Sequence, residues 1–461
     1  MIIKNPLLVP ELREMLAASD TAALRSFCET NHPAVVAELI SALDVGEAWR
    51  VLKQADKQIR AEIFSHLDEE LQIDMVERAP RIEIARLLSD MPPDDRVDLF
   101  KELPEEKREA ILPVLAQAER EDVRRLIAYE EGTAGAVMTS DYATLSPALT
   151  ASQAIERLRE VAPDKETIYY AYVVDNQRRL LGFVSLKDLI VSRRDARIED
   201  IMHREVISAR VTDDQEEAAR TIQKYDLLAL PVINGNDALV GIITHDDALD
   251  VMTQEHTEDM EKLMAITGSH EAGIYLKTSS WVHFKNRAYW IVGLAALGLV
   301  SGMIIHSYEA TLTQMLILAL YMPMVADTGG NTGSQSATVV VRALALHEIS
   351  PGDVAKVVFK ELKVAALLAV ILGVLSWGKV MFLSQHTDLP AGFSLAPIGG
   401  AIALALGLQV VSATLIGAVL PLAAAKMKLD PAVVASPALT TIVDITGLLI
   451  YFATAKALLG V

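Results

Sequence analysis

Five apolar runs, at about residues 288–307, 313–343, 361–384, 394–425 and 432–458, dominate the chain from residue 277 onward. Each reaches or exceeds the ~20 residues that cross a bilayer core. At that depth every backbone N–H and C=O must be satisfied within the protein, so runs of this length are expected to be helices. Burial of all five in a soluble protein is the weaker reading, because the loops between them alternate in charge. Lys277, Lys285 and Arg287 precede the first run. Arg342, Lys356, Lys360 and Lys363 flank the loop between the second and third, and Lys426 and Lys428 lie between the fourth and fifth. The loops "HSYEAT" and "SQHTDLPAG" carry no Lys or Arg; Lys379 and Lys456, near span ends, are the exceptions. The positive-inside bias then gives a multi-pass protein of the cytoplasmic (inner) membrane, with its N-terminal part in the cytoplasm and its C-terminus outside.

Charge divides the chain at the same place. The whole carries a formal net charge of −19, but residues 277–461 hold 11 Lys+Arg against 8 Asp+Glu, which leaves residues 1–276 at −22. An acidic surface of that size disfavours nucleic acid and favours cations. The lone cysteine, Cys28, allows no intrachain disulfide. The start "MIIKNPLLVPELREML" has no long apolar core of the kind a signal peptide needs.

Polar residues interrupt two of the runs. In "ADTGGNTGSQSA" (326–337), Asp327, Asn331 and Gln335 recur every four residues and share one helical face. Asp444 lies deep within "SPALTTIVDITGLLIY". No Lys or Arg occurs at similar depth, so each carboxyl is either protonated glue between helices or part of a cation route, the commoner meaning of an intramembrane acid. For Asn331 and Gln335, hydrogen bonding between helices competes evenly with an ion role. The glycines lack the Lys of a phosphate loop. They fit close helix packing at Gly329 and Gly333, or a loosened backbone beside water. Pro323 and Pro437 favour a break in each of the two spans.

The acidic part has its own organisation. Residues 1–131 read as short helices with prolines and acids at their starts, as in "LDEELQIDMVERAP" and "MPPDDRVDLFKELP", an array suited to a helical superhelix. No nucleophile–base set occurs, and His32, His66 and His203 are scattered. Within residues 132–251, "VMTSDYATLSPALTASQAIERLRE" parallels "IMHREVISARVTDDQEEAARTIQK", and "AYVVDNQRRLLGFVSLKDLI" parallels "LPVINGNDALVGIITHDDAL". Each copy reads strand, helix, strand, turn, strand, helix. The duplication resembles a pair of CBS domains, an α/β module that is commonly regulatory and often binds ATP or another adenine nucleotide. Residues 252–276 form an acidic connector, either a plain linker or a helix that transmits a signal.

The stretches "GGNTGSQSATVVVRAL" and "LDPAVVASPALTTIVDITGLLIY" resemble the MgtE family of magnesium channels and transporters, and the resemblance covers essentially the whole chain. It implies a helical N-domain (1–131), tandem CBS domains (132–251), a connecting plug helix (252–276) and an all-α pore domain of five transmembrane helices (277–461). It implies a homodimer embedded in lipid, with the pore between subunits and Asp444 of both chains at the central ion site. Gly330, Asn331 and Thr440 then line or adjoin that site. Asp327 and Ser334 depart from some members, which carry glycine and asparagine there. The family's cytoplasmic part binds several Mg²⁺ ions, and their binding favours closure.

Physical chemistry agrees. Mg²⁺ keeps its waters and is held by one or two carboxylates, which a pair of Asp444 side chains can supply. Acidic domains repel one another when compact, and bridging divalent ions relieve that repulsion. The candidate regulatory ligands are Asp94, Asp95 and Asp98 in the N-domain; Asp214, Glu216, Asp226, Asp246, Asp247 and Asp250 in the CBS pair; Glu258 and Asp259 on the plug; and Asp430 at the membrane edge. Asp246 and Asp250 share a helical face, and Asp259 with Asp430 would pair across the gate. The expected function is Mg²⁺ transport under negative feedback by cytoplasmic Mg²⁺. The alternatives are a channel for Co²⁺ or Mn²⁺, and a membrane sensor that transports nothing.

Overall fold

The computed structural model describes residues 9–266, 278–346, 348–387, 389–390, 392–434 and 437–460, and divides into two compact units, Met1–Glu255 and His256–Val461.

Among the described residues the first unit begins with ten short α-helices, α1 (Val9–Ala17) to α10 (Gln117–Ile127). Pro33 and Pro93 open two of them, and Asp20 and Asp44 cap two others by accepting from the backbone N–H of Ala23 and Glu47. Helices two apart pack together, α5 (Lys57–Ser65) on α7 (Arg81–Asp90) and α6 (Glu69–Arg78) on α8 (Pro93–Glu102), which is the expected superhelical stacking. A finer repeat is visible only in the structure. "ADKQIR", "LDEELQ" and "MPPDDR" end in Arg60, Gln72 and Arg96. Each end residue donates to carbonyls at the end of the preceding helix: Arg60 to Leu52 and Ala55, Gln72 to Phe64 and Leu67, Arg96 to Leu88 and Met91. These carbonyls lie at or just past the helix ends, where the intrahelical ladder runs out, and the side chains supply further donors there. Arg96 thereby fixes the start of α8, where Asp94 and Asp95 sit.

Two three-stranded sheets follow with the same plan. β1 (Tyr142–Leu145) pairs parallel with β2 (Thr167–Val174), which pairs antiparallel with β3 (Leu180–Ser185); β4 (Ala209–Arg210), β5 (Ala229–Ile233) and β6 (Leu239–Thr244) repeat the order. The helices α11 (Ala151–Val161) and α14 (Gln215–Tyr225) occupy equivalent places after β1 and β4, and the short α12 (Leu186–Val191) and α13 (Ile198–Ile201) lie between β3 and β4. Both hairpin turns carry a residue at positive φ, Arg178 (62°) and Asp237 (59°). The two turns exchange backbone bonds, Leu180 N–H to the Asp237 carbonyl and Leu239 N–H to that of Arg178, so the duplicated halves meet through equivalent residues. The helix after β6, α15 (His245–Leu263), runs unbroken past residue 251, and the rest of the expected connector, from 267 on, lies outside the described residues.

The second unit holds α16 (Ser280–Ser307), the short α17 (Glu309–Gln314), α18 (Leu316–Ala345), α19 (Val354–Leu383), α20 (Leu395–Lys426), the short α21 (Pro431–Val434) and α22 (Pro437–Leu459). Four of these, α16, α19, α20 and α22, are long and apolar enough to cross a membrane. The remaining expected span, α18, has 30 residues but is diluted by its polar stretch. α20 is the hub and packs on α18, α19 and α22, whereas no residue of α16 is buried. Near one end of the bundle Leu318, Tyr321, Ile402, Val410, Tyr451 and Phe452 form a closed core.

The expected break in the second span is absent. α18 is α-helical from Leu316 to Ala345 with Pro323 inside it, and glycines 329, 330 and 333 are all helical. Packing overrides the local weakness of Pro and Gly, as is common in membrane helices. The fourth span is likewise one helix of 32 residues, with Pro421 inside it. Pro437 opens α22 rather than breaking it, as its missing N–H allows; residues 435 and 436 before it lie outside the described residues.

Candidate functional site

The glycines of α18 serve close packing. A Cβ on Gly333 would lie 3.2 Å from the Ala413 carbonyl oxygen, and one on Gly417 only 2.2 Å from the Gly333 oxygen, so α18 and α20 touch backbone to backbone. Gly330 faces Thr440 of α22, whose methyl would lie 3.5 Å from an added Cβ. These contacts bury one side of α18 through Val325, Gly329, Gly330, Gly333, Ser336, Ala337 and Val340. The other side carries Asp327, Asn331 and Gln335, all exposed. A polar stripe at membrane depth is thus left uncovered by its own chain.

Asp444 is half-buried on α22, close enough to Asp327 for the two carboxyl groups to act on one another. The structure therefore brings Gly330 to Thr440 and Asp327 toward Asp444, with Asn331 one turn along the same face of α18. Two polar residues that sequence reasoning missed support this region. Gln409 of α20, 0% exposed, donates from Nε2 to the Val443 carbonyl (2.8 Å), which also accepts from the Thr446 hydroxyl (3.0 Å). Ser336 donates to Glu361 Oε2 of α19 (2.9 Å). A lone amide in the apolar "ALALGLQVVSATL" was the only available signal for Gln409.

The regulatory candidates separate into groups. Asp94 Oδ1 is sealed from solvent with no hydrogen-bond partner. Burial, then the carboxylates of Asp247, Asp95 and Glu166, push the Asp94 carboxyl well above its usual range. Asp95 is raised by burial, with Asp98 and Asp246 adding to it, and Asp247 is pushed up to about 6 by burial despite accepting from Thr244. Glu166, not anticipated from sequence, is pushed up to about 7 by desolvation and then by Asp247, Asp95 and Asp246, though it keeps an exposed edge. These acids share one electrostatic environment. Asp250 feels burial and Asp246 in the same sense.

Other candidates have local duties. Asp98 is paired with Lys101 (2.8 Å), Asp214 caps α14 by accepting from Glu216 N–H (2.8 Å), Glu216 pairs with Arg220, and Asp226 ends α14 at φ 50°. The expected Asp259–Asp430 pair contains a third party. Lys262 bonds both Glu258 (2.8 Å) and Asp430 (3.2 Å), while Asp259 is raised by burial and by Asp430. Although burial opposes it, bonding to these two carboxylates holds the Lys262 ammonium above its ordinary value. Among the described residues no three His, Cys, Asp or Glu side chains converge closely enough to hold a metal by themselves. The sealed, unpartnered Asp94 oxygen nevertheless suits a hydrated divalent ion, which needs only one or two carboxylates.

Residues 322–454 match the divalent cation transporter family designated MgtE, residues 31–132 its intracellular N domain, and residues 134–195 and 198–254 the CBS domain. The chain is 36% identical to magnesium transporter MgtE of Thermus thermophilus over 98% of each chain, and 34% identical to that of Bacillus subtilis over 86% of this chain and 85% of the other. The soluble part of a magnesium transporter superposes with a TM-score of 0.52 at 34% identity, covering 54% of this chain and 97% of that one. The cytosolic domain of the Mg²⁺ channel MgtE in complex with ATP gives 0.50 at 38% identity, covering 53% of this chain and 100% of that one.

Proposed function

The chain belongs to the MgtE family and is a magnesium transporter of the inner membrane rather than an enzyme; on that premise we propose that Mg²⁺ crosses between two copies of the chain, along the uncovered polar face of α18 to Asp444 of α22. The observation that carries this reading is the exposure of Asp327, Asn331 and Gln335 on a helix whose opposite side is fully packed. Lipid tails cannot satisfy that stripe, and a second copy with water between can. A hydrated Mg²⁺ donates hydrogen bonds from its waters. Asp444 of each chain accepts them, Asn331 adds a neutral acceptor, and Asp327 draws the cation toward the path. The absence of Cys and His along this face suits a hard ion.

Regulation follows from the unpaired acids. At low Mg²⁺ the carboxylates of Asp94, Asp95, Asp246, Asp247 and Glu166 repel one another. Divalent ions that enter the cluster bind the compact state better and shift the population toward it. Closure at high cytoplasmic Mg²⁺ is the result, with Asp259, Glu258 and Asp430 as a second acidic group. ATP, present in the related cytosolic domain, is proposed to bind the CBS pair. The N-terminal part lies in the cytoplasm and the C-terminus outside.

Cysteine accessibility tests the path. The native thiol, Cys28, is buried and pushed up to about 11, so it reacts slowly. Asn331→Cys is expected to react with a water-soluble, charged methanethiosulfonate and lose Mg²⁺ uptake. Leu367→Cys, on the exposed apolar face of α19, is expected to remain unmodified and active. An unreactive Asn331→Cys would contradict the hydrated path.

A further inference from the structure

Gln409 is the odd residue of the membrane bundle. It is wholly buried in α20, and its Oε1 has no hydrogen-bond partner while Nε2 is bonded to the Val443 carbonyl at 2.8 Å. Room for it is made from both sides. A Cβ on Gly329 of α18 would lie 2.4 Å from its Nε2, and one on Gly447 of α22 would lie 2.6 Å away. The amide is therefore wedged between the two helices that carry the path. It sits one residue from Asp444 on one of them and beside Gly330 on the other.

As a packing element this is a poor choice. Leu has similar bulk and no orphaned acceptor, and replacing a half-satisfied buried amide by an apolar group can be neutral or stabilising. The Val443 carbonyl would still accept from Thr446. What Leu cannot supply is a directional bond from α20 to the backbone turn that bears Asp444. Rotation of α22 about its axis swings Asp444 toward or away from the polar face of α18, and a bond at the adjacent residue resists that rotation. Mg²⁺ tolerates little departure from octahedral geometry, so the orientation of its carboxylates matters more than for a larger ion.

We infer that Gln409 is a positioning residue for ion binding: its amide, seated between Gly329 and Gly447, locks the Asp444 turn of α22 in register with the polar face of α18. This rests on the reading of Asp444 as the ion-bearing carboxylate. The test measures Mg²⁺ uptake into liposomes as a function of concentration, together with thermal unfolding in detergent. Gln409→Leu is expected to unfold no earlier than the unmodified protein. Its half-saturating Mg²⁺ concentration should rise about tenfold, the effect of one lost directional bond, with a much smaller change in maximal rate per inserted molecule. Gln409→Glu, kept neutral by burial and able to donate through its hydroxyl, is expected to restore half-saturation to within about twofold. Unchanged half-saturation in Gln409→Leu overturns the inference, as does a loss of stability that scales with the loss of uptake. Should Gln409→Leu fail to insert, Gly447→Ala displaces the same amide and must raise half-saturation; no change there overturns the inference as well. Asp444→Asn separates the two levels. Normal uptake by that variant removes the underlying reading, whereas silence in Asp444→Asn beside an unaffected Gln409→Leu removes only the role of Gln409.

Discussion

The two units of this protein use carboxylates in opposite ways. The N-terminal unit has acids in abundance, and several are spent locally. Asp214 caps a helix, Asp98 pairs with Lys101, and Glu216 pairs with Arg220. Asp94, Asp95, Asp247 and Glu166 instead crowd together, where burial and one another's charge make them resist ionisation. The membrane bundle has few acids, yet Asp327 stands on a helix held in backbone contact with α20 through Gly333 and Gly417, and Asp444 stands on α22, which Gln409 of α20 bonds at Val443. The number of acids therefore says little about function. On the proposed reading, what separates a sensing or conducting carboxylate from a solubilising one is the lack of a local partner.

The comparison can be broken first at its rigid side. Gly417→Val places a side chain where a Cβ already falls 2.2 Å from the Gly333 oxygen, so α18 and α20 must separate. A loss of about 3 kcal/mol is expected, read as a failure to recover folded protein from membranes. Gly298→Ala on α16, with nothing within 4 Å, should behave like the unmodified protein. Normal yield from Gly417→Val would show that the close approach does not matter.

On the proposed sensing side, Asp94→Asn removes a repelling carboxylate and with it the proposed ligand. Protease cleavage of the soluble half is expected to slow without Mg²⁺, and protection by millimolar Mg²⁺ should shrink by roughly tenfold. A Mg²⁺ response identical to that of the unmodified protein would place the sensing acids elsewhere.

A pH effect should be smaller. Glu166 and Asp247 are raised to about 7 and about 6 in the folded state, above their unfolded values. The folded form then binds more protons than the unfolded one between the ordinary carboxylate range and pH 7. Stability of the N-terminal unit is thus expected to fall as pH rises through that window and to level off above it. Melting of the chelator-treated full chain at pH 5.5 and pH 8 reads the difference, and Mg²⁺ at pH 8 should restore most of it. Greater stability at pH 8 without Mg²⁺ would reverse the sign and the argument.

The smallest effect belongs to Lys262. Its ion pairs with Glu258 and Asp430 are partly exposed, with side-chain exposures of 32%, 50% and 36%. Such pairs are worth up to about 1 kcal/mol each. Lys262→Gln leaves Glu258, Asp259 and Asp430 with a stronger attraction for cations. Inhibition of uptake is expected at two- to fivefold lower Mg²⁺. A shift to higher Mg²⁺ would mean that the ammonium supports closure rather than competing for its site.

Much of this organisation was legible in the residues. Apolar length and loop charge announced the spans, and the parallel strings in 132–251 announced the duplicated sheets, because each depends on periodicity over many positions. Asp327, Asn331 and Gln335 could be placed on one face because helical spacing is fixed. The continuity of α18 was not legible, since Pro323 and three glycines read locally as breakers and only the neighbours on α20 and α22 explain why they are tolerated. Gln409 was invisible for the same reason: its meaning depends on where Val443, Gly329 and Gly447 lie. The helix-end roles of Asp214 and Asp226 were not legible either, because an acid near a helix end suits capping and ligation alike. Glu166 was overlooked because its acidic neighbours lie far away in sequence.

The central claim is a division of labour, in which membrane carboxylates conduct and cytoplasmic carboxylates sense. It is tested most directly by Mg²⁺ uptake into liposomes carrying the unmodified protein, Asp444→Asn or Asp94→Asn, each with trace or millimolar Mg²⁺ on the cytoplasmic face. Asp444→Asn is predicted to fall to the level of empty vesicles in both conditions. Asp94→Asn is predicted to conduct, with inhibition by cytoplasmic Mg²⁺ weakened. Uptake by Asp444→Asn at the unmodified rate would contradict the account.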